Sequence, residues 1–175
     1  VSWITTYTGR RFDPGDIREE AIALEDIAHA LGNLCRFTGH CARFYSVAEH
    51  SCHVSDHAPH ERSAWGLLHD AAEAYIADLN TPIKRRPGLE GYSALEDEIQ
   101  AAIAKRFGVK SVNIKPIDQR LLVTEAEQLL PQENAWRIQQ PQYQSIRPIP
   151  MILPCWSPET AKAEFLARAR KLGIR

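Results

Sequence analysis

Four residues with metal-ligand side chains stand where the surrounding sequence is helical: His50, the adjacent pair His69-Asp70, and Asp118. The pair lies in the run Leu67-Leu68-His69-Asp70-Ala71-Ala72-Glu73-Ala74-Tyr75-Ile76. Its apolar residues recur at helical spacing over more than one face, as in a helix surrounded by core. Buried carboxylates are costly unless paired or bound to a cation, so two carboxylates and an imidazole within two turns point to a metal ion. One helix cannot close such a site, and two further candidates lie on other helices. In Ser46-Val47-Ala48-Glu49-His50-Ser51, Ser46 and Glu49 have capping-box spacing, which puts His50 at the end of a first turn. Asp118 follows Pro116, a residue suited to the first turn of another helix. Two imidazoles and two carboxylates leave open positions on an octahedral divalent ion such as manganese, cobalt, iron or magnesium, and zinc accepts the same donors.

The order His, His-Asp, Asp across three separate helices is the H…HD…D pattern of the HD-domain phosphohydrolases, and from about Leu24 to Leu130 the chain resembles that superfamily. Within it the chain is similar to the bacterial 5′-deoxynucleotidase-like branch. The likeness is carried by the Ser46 to Ser51 stretch and by Leu68-His69-Asp70-Ala71-Ala72-Glu73 followed by Ala77-Asp78-Leu79-Asn80-Thr81-Pro82. Arg36 followed by an aromatic residue, Phe37, completes it. The resemblance implies an all-α HD-domain bundle that holds one divalent ion on His50, His69, Asp70 and Asp118. It also implies hydrolysis of the phosphomonoester of (deoxy)nucleoside 5′-monophosphates.

Such a reaction needs neutralised phosphoryl charge, a positioned water and a proton for the leaving oxygen. Glu73 and Asp78 are the acid–base candidates, each near the ligand pair without being needed as a ligand; which is acid and which is base stays open. By the same resemblance Arg36 contacts the phosphate, and Thr81 belongs to the substrate contacts. Phe37 packs where a ribose 2′-hydroxyl would lie, a place at which the nucleotidase branch carries a larger tryptophan. Homodimers are common among the HD phosphohydrolases, which makes a second copy of the chain one expected partner. Two other readings stay open: an HD-type phosphodiesterase or pyrophosphohydrolase on another nucleotide, and a non-catalytic nucleotide-binding HD module. Against the second stands the presence of Glu73 and Asp78 beside all four ligands, since a binding module needs no proton-transfer groups.

Helices must position these side chains. A short strand and turn are expected within Val1 to Phe12, around Ile4 to Gly9, before Asp13-Pro14-Gly15 breaks the chain. Leu24, Ile27, Ala28, Leu31, Leu34 and Cys35 predict a first helix running to about Arg36-Phe37. A second spans Val47 to His57 and a third opens near Glu61. The third should run on to Asn80-Thr81-Pro82, because the residue before a proline is pushed out of helical geometry. Ser93 and Glu96 have capping-box spacing before a fourth helix that Gly108 stops, and a fifth runs from Pro116 to about Leu130. The proline-rich stretch 131–154 reads as an extended loop with a short strand at Met151-Ile152-Leu153. A last helix then starts at Ser157-Pro158-Glu159 and buries Phe165, Leu166, Ala169 and Leu172.

Other polar clusters have blander readings. His53 and His57, four apart and beside Cys52, have zinc-site spacing, but a supporting place for His53 beside His50 fits better. Lys84-Arg85-Arg86 reads as a solvated loop that also lies near enough to the site to attract an anion.

A chain of 175 residues fits one domain with a real core. With 44% hydrophobic and 25% charged residues it is an ordinary globular composition, and a net charge of −1 argues against a duplex nucleic-acid binder. No apolar run reaches membrane-span length, and Val1 to Arg11 lacks a charged-then-apolar leader, so a cytoplasmic address without membrane partners is expected. The four cysteines form no CxxC, as suits a reducing compartment.

Overall fold

A computed structural model describes residues 2–130 and 135–175. The chain is built from helices, with β structure confined, among the described residues, to the N-terminal end and one isolated bridge. There β1 (Ile4–Thr5) and β2 (Arg11–Phe12) pair antiparallel, Ile4 opposite Phe12. The turn between them is tied down by the Asp26 carboxylate, which accepts from Thr8 N at 2.7 Å and Thr8 Oγ1 at 3.0 Å. Phe12 is thereby carried into the core, stacked on Tyr75 at 4.1 Å between ring centroids.

Nine helices follow among the described residues: α1 (Leu24–Asn33), α2 (Val47–His57), α3 (His60–Leu68), α4 (Glu73–Ile76), α5 (Thr81–Lys84), α6 (Glu90–Phe107), α7 (Lys115–Leu129), α8 (Ala135–Gln139) and α9 (Pro158–Lys171). Ile27, Leu31, Val47, Leu67, Leu68, Ile99, Ile103 and Phe165 form one apolar core. Tyr45, Val54, Trp65, Leu121, Leu129, Ile149 and Leu153 form a second around α7. Close approach of α2 and α3 depends on Gly66: a Cβ there would lie 3.2 Å from Ser55 Cα. No helix among the described residues is long and apolar enough to cross a membrane.

The elements depart from the sequence expectation in places that shape the site. The first helix stops at Asn33, short of Arg36-Phe37, because the backbone of residues 34–36 turns to pair with residues 45–47. Arg36 N donates to Tyr45 O at 2.9 Å and Val47 N to Leu34 O at 3.0 Å, around a Cys35–Ser46 bridge. Arg36 thus leaves the helix and opens a tight turn, Arg36–Gly39, in which Phe37, Thr38 and Gly39 have φ of 55°, 52° and 78°. Left-handed geometry at a β-branched threonine is uncommon and costs free energy.

The expected third helix is broken after Leu68, and His69-Asp70 occupies the break. Backbone groups released there are satisfied by Gln100 of α6, whose amide nitrogen donates to Leu68 O at 2.6 Å and whose oxygen accepts from Ala72 N at 2.9 Å. Thr81-Pro82 starts a helix instead of ending one, since proline in a first turn forfeits no internal hydrogen bond. Helix α6 begins at Glu90, and Ser93 lies inside it. The start is held by the Glu90 carboxylate, which accepts from Gly88 N at 3.0 Å.

At Ser46 only half of the capping box forms. Ser46 Oγ accepts from Glu49 N at 3.1 Å, while the fully buried Glu49 carboxylate reaches across to Cys155 N and Trp156 N at 2.9 and 2.6 Å.

Within the proline-rich stretch, residues 131–134 lie outside the described residues. The remainder contains α8 and a single 3-10 turn at Pro141–Tyr143, and Met151 to Leu153 is not a strand. Side chains one turn apart along α7 hold that segment in place of a neighbouring strand. Arg120 donates to Arg147 O, Ile149 N donates to Thr124 Oγ1 at 2.8 Å, and Gln128 bonds both Met151 O and Leu153 N. Thr124→Val keeps the shape but orphans the buried Ile149 N–H, so it should cost about 1 to 3 kcal/mol in urea denaturation. An unchanged unfolding free energy would show that the α7 side chains do not hold this segment.

Candidate metal centre

Three elements converge on the site. The first turn of α2 supplies His50, the break between α3 and α4 supplies His69 and Asp70, and the first turn of α7 supplies Asp118. His50, His69 and Asp118 each offer a ligand atom within 4.8 Å of the other two, a group that could hold a metal ion. Asp70 is beside it: its Oδ2 lies 3.3 Å from His69 Nε2 and 3.6 Å from His50 Nε2. The structure therefore groups three of the four expected ligands and sets Asp70 against both imidazoles.

Hydrogen bonds on the far side of each imidazole decide which nitrogen faces the cluster. His69 Nδ1 lies 2.8 Å from Gly66 O, and a carbonyl only accepts, so Nδ1 carries the proton and Nε2 presents a lone pair. His50 Nδ1 donates to Glu125 Oε1 at 2.7 Å, with both side chains fully buried. A carboxylate behind a ligating imidazole fixes the ring's orientation and raises its basicity. Both Nε2 atoms are buried without a hydrogen-bond partner, although Asp118 Oδ1 lies 3.3 Å from that of His50. Lone pairs facing carboxylates in a desolvated space are relieved by a cation, so the donor set fits a divalent ion.

The electrostatics agree. Burial and Arg36 push the His50 imidazole down, but Glu125 and Asp118 outweigh them and hold it up to about 9. The pocket thus favours positive charge at His50 Nε2, whether proton or metal. Burial alone would raise the Glu125 carboxyl, yet Arg36 and His50 bring it down to about 2. Asp118 is lowered against burial by His50, His69 and Arg36.

Arg36 is not a surface arginine. Its side chain is 12% exposed, and Nε reaches Glu125 Oε2 at 3.2 Å while Nη1 lies 3.6 Å from Asp70 Oδ2. Arg36, Phe37, Asp70, Glu73, Asp78, Thr81 and Asp118 all line one cavity of about 290 Å³, with Lys84 and Arg85 on its wall. Glu73 is 6% exposed, and Lys84 Nζ is 3.7 Å from its Oε1. Burial, then Asp70 and Asp78, push its carboxyl well above the ordinary range despite Arg36 and Lys84. Asp78 follows Ala77, whose φ of 68° and ψ of 165° belong to a region populated mainly by glycine. Tyr92 holds this kink by donating to Ala77 O at 2.7 Å.

Other histidines lie outside the cluster. His57 Nδ1 bonds His53 O at 2.9 Å, and His53 stands beside Glu49 and Trp156, so with Cys52 they form no second metal group among the described residues. The residue that sequence reasoning missed is Glu125. Its signal was its place two turns after Asp118, which puts both carboxylates on one face of α7.

No family model matches the chain. It is similar to the uncharacterized protein YfdR of Escherichia coli, 39% identical over 132 residues that cover 74% of this chain and 73% of that protein. An uncharacterized protein of Rhodobacter capsulatus is 36% identical over 129 residues, 69% of this chain and 65% of the relative. Glu125→Gln keeps the shape but weakens the brace behind His50. Titration of metal-stripped protein with Mn²⁺ should show affinity reduced by about 10- to 100-fold. Parent-like affinity would mean that the ring is held without the Glu125 charge.

Proposed function

The chain belongs to the YfdR family, and we propose that it is a metal-dependent phosphohydrolase acting on the phosphomonoester of (deoxy)nucleoside 5′-monophosphates. One observation carries this reading. Two buried imidazoles stand against Asp70 and Asp118, which line a cavity whose walls bear two guanidinium groups, two ammonium groups and two further carboxyls. A purely structural ion needs no such walls.

One divalent ion on His50, His69, Asp70 and Asp118 would supply Lewis-acid polarisation of the phosphoryl group and a more acidic water. The chain's own residues do the rest. Glu125 fixes Arg36 through Nε, and the guanidinium N–H groups that do not face Asp70 are left for phosphoryl oxygens. Lys84, held between Glu96 at 2.6 Å and Glu73, adds positive charge to the same wall. Burial and the neighbouring aspartates favour the protonated form of Glu73, which suits it to give a proton to the departing 5′-oxygen. Asp78, set on the wall by the Ala77 kink, accepts a proton from the attacking water. The raised Glu73 carboxyl is what supports giving it the donor's part in a pair that the sequence leaves interchangeable.

Phosphate release from a panel of nucleoside 5′-monophosphates, with Mn²⁺, Co²⁺, Fe²⁺, Mg²⁺ or Zn²⁺ restored to stripped protein, tests the reading. Release only from diesters or pyrophosphates would move the chain to another reaction, and nucleotide binding without turnover would make it a binding module. Glu73→Gln should keep metal and nucleotide affinity while kcat falls by about 10²- to 10⁴-fold. Loss of metal instead would make Glu73 a ligand, and unchanged turnover would remove it from the chemistry. Arg36→Lys should lose about 10- to 100-fold in kcat/KM with metal content intact, because an ammonium cannot reproduce the paired contacts. Steady-state kinetics indistinguishable from the parent would dismiss Arg36 as a phosphate contact.

A further inference from the structure

Beside the charged cavity lies a second, larger compartment of about 710 Å³; Phe37, Asn80, Thr81, Arg85, Leu122 and Tyr143 line both. Six shared wall residues make the two adjoining halves of the same surface, and their chemistry differs. Four carboxyl side chains, Asp70, Glu73, Asp78 and Asp118, line the inner half, whereas among the described residues no carboxylate lines the outer. In the outer half the rings of Phe37, Trp136 and Tyr143 stand beside the side-chain amides of Asn80, Gln140 and Gln142. Rings with amides around them suit a flat heterocycle whose edges carry donors and acceptors.

The aromatic wall is assembled in advance. Trp136 and Tyr143 stack with ring centroids 5.1 Å apart and planes 20° apart. Arg137, next to Trp136, clasps the segment. Its Nη1 pairs with Glu127 of α7 at 2.6 Å, and its Nη2 donates to Gln144 O and Ile146 O at 2.9 and 2.6 Å. Gln142 Nε2 donates to Gln140 Oε1 at 2.7 Å, which links the two amides on the same wall. Prior assembly lowers the ordering cost of binding.

We propose that the outer compartment is a nucleobase subsite, in which the Trp136–Tyr143 wall stacks the base and Gln140 and Gln142 address its edge. The proposal rests on the phosphohydrolase reading for the orientation of the ligand. With phosphate at Arg36, the sugar lies at the shared Phe37 junction and the base beyond it, so the leaving group is a nucleoside. Stacking tolerates any base, and the amides add only a mild preference among bases.

The test compares a nucleoside 5′-monophosphate with ribose 5-phosphate, which has no base, on the metal-replete chain. Trp136→Leu should lose about 10- to 100-fold in kcat/KM on the nucleotide, chiefly through KM, and stay within about twofold of the parent on ribose 5-phosphate. Gln142→Ala, at an exposed position that no core depends on, should raise KM a few-fold on the nucleotide alone. Equal losses on both substrates, or no loss on either, would overturn the subsite. Equilibrium dialysis with the free nucleoside reads binding without turnover. Saturable binding weakened by Trp136→Leu supports the subsite even if no phosphate is released from any nucleotide, in which case the phosphohydrolase reading alone fails. Absence of saturable binding of both nucleoside and nucleotide would overturn it.

Discussion

Between His50 Nδ1 and Glu125 Oε1 lie 2.7 Å, and neither side chain touches solvent. The remainder of the site depends on this contact. It joins α2 to α7, turns the His50 Nε2 lone pair toward Asp70 and Asp118, and leaves the second Glu125 oxygen for Arg36 Nε at 3.2 Å. One buried carboxylate therefore mounts both His50 of the candidate metal cluster and Arg36 of the cavity wall. A lone charge at that depth would be prohibitive, and it is tolerated because an imidazole and a guanidinium share it.

Around that contact the backbone carries strain and broken helices where the side chains must face the cavity. His69 and Asp70 sit in a helix break satisfied by Gln100, Arg36 precedes a left-handed turn, and Asp78 follows the glycine-like geometry of Ala77. The positive-φ residues among them, Phe37, Thr38 and Ala77, each cost about 1 to 3 kcal/mol and persist only where their surroundings over-determine them. Here the surroundings are specific: the Cys35–Ser46 bridge behind Arg36, α6 behind the helix break, and Tyr92 on the Ala77 carbonyl. Neighbouring elements thus hold the cleft in an arrangement that local propensity would not choose.

Local rules made a good part of this legible. Ser46 announced the start of α2, Gly108 the end of α6 and Ser157 the start of α9, because each acts through contacts within its own turn. The helices of the all-α class followed from periodicity, and residue composition pointed to one short N-terminal strand and turn, to which the structure adds a pairing partner at Arg11–Phe12. What the sequence hid were long-range substitutions of one partner for another. The apolar period runs unbroken across His69-Asp70, so the break became visible only with Gln100, some thirty residues on. Glu49 looked like a capping partner, yet its carboxylate serves Cys155 and Trp156. Met151 to Leu153 had strand composition, but its backbone partners are side chains of α7. Glu125 was within reach of helix geometry, two turns from Asp118; the Trp136–Tyr143 wall, in a stretch without period, was not.

That His50, His69, Asp70 and Asp118 hold a single divalent ion is the central claim, and NMR of metal-stripped protein titrated with Mn²⁺ tests it most directly. Paramagnetic broadening reports where the ion sits as well as how many bind. Saturation at one equivalent, with the ring resonances of His50 and His69 broadened first and those of His29, His40 and His60 spared, is the result expected of this site. Broadening that begins at His53 and His57, or no stoichiometric binding at all, would contradict it.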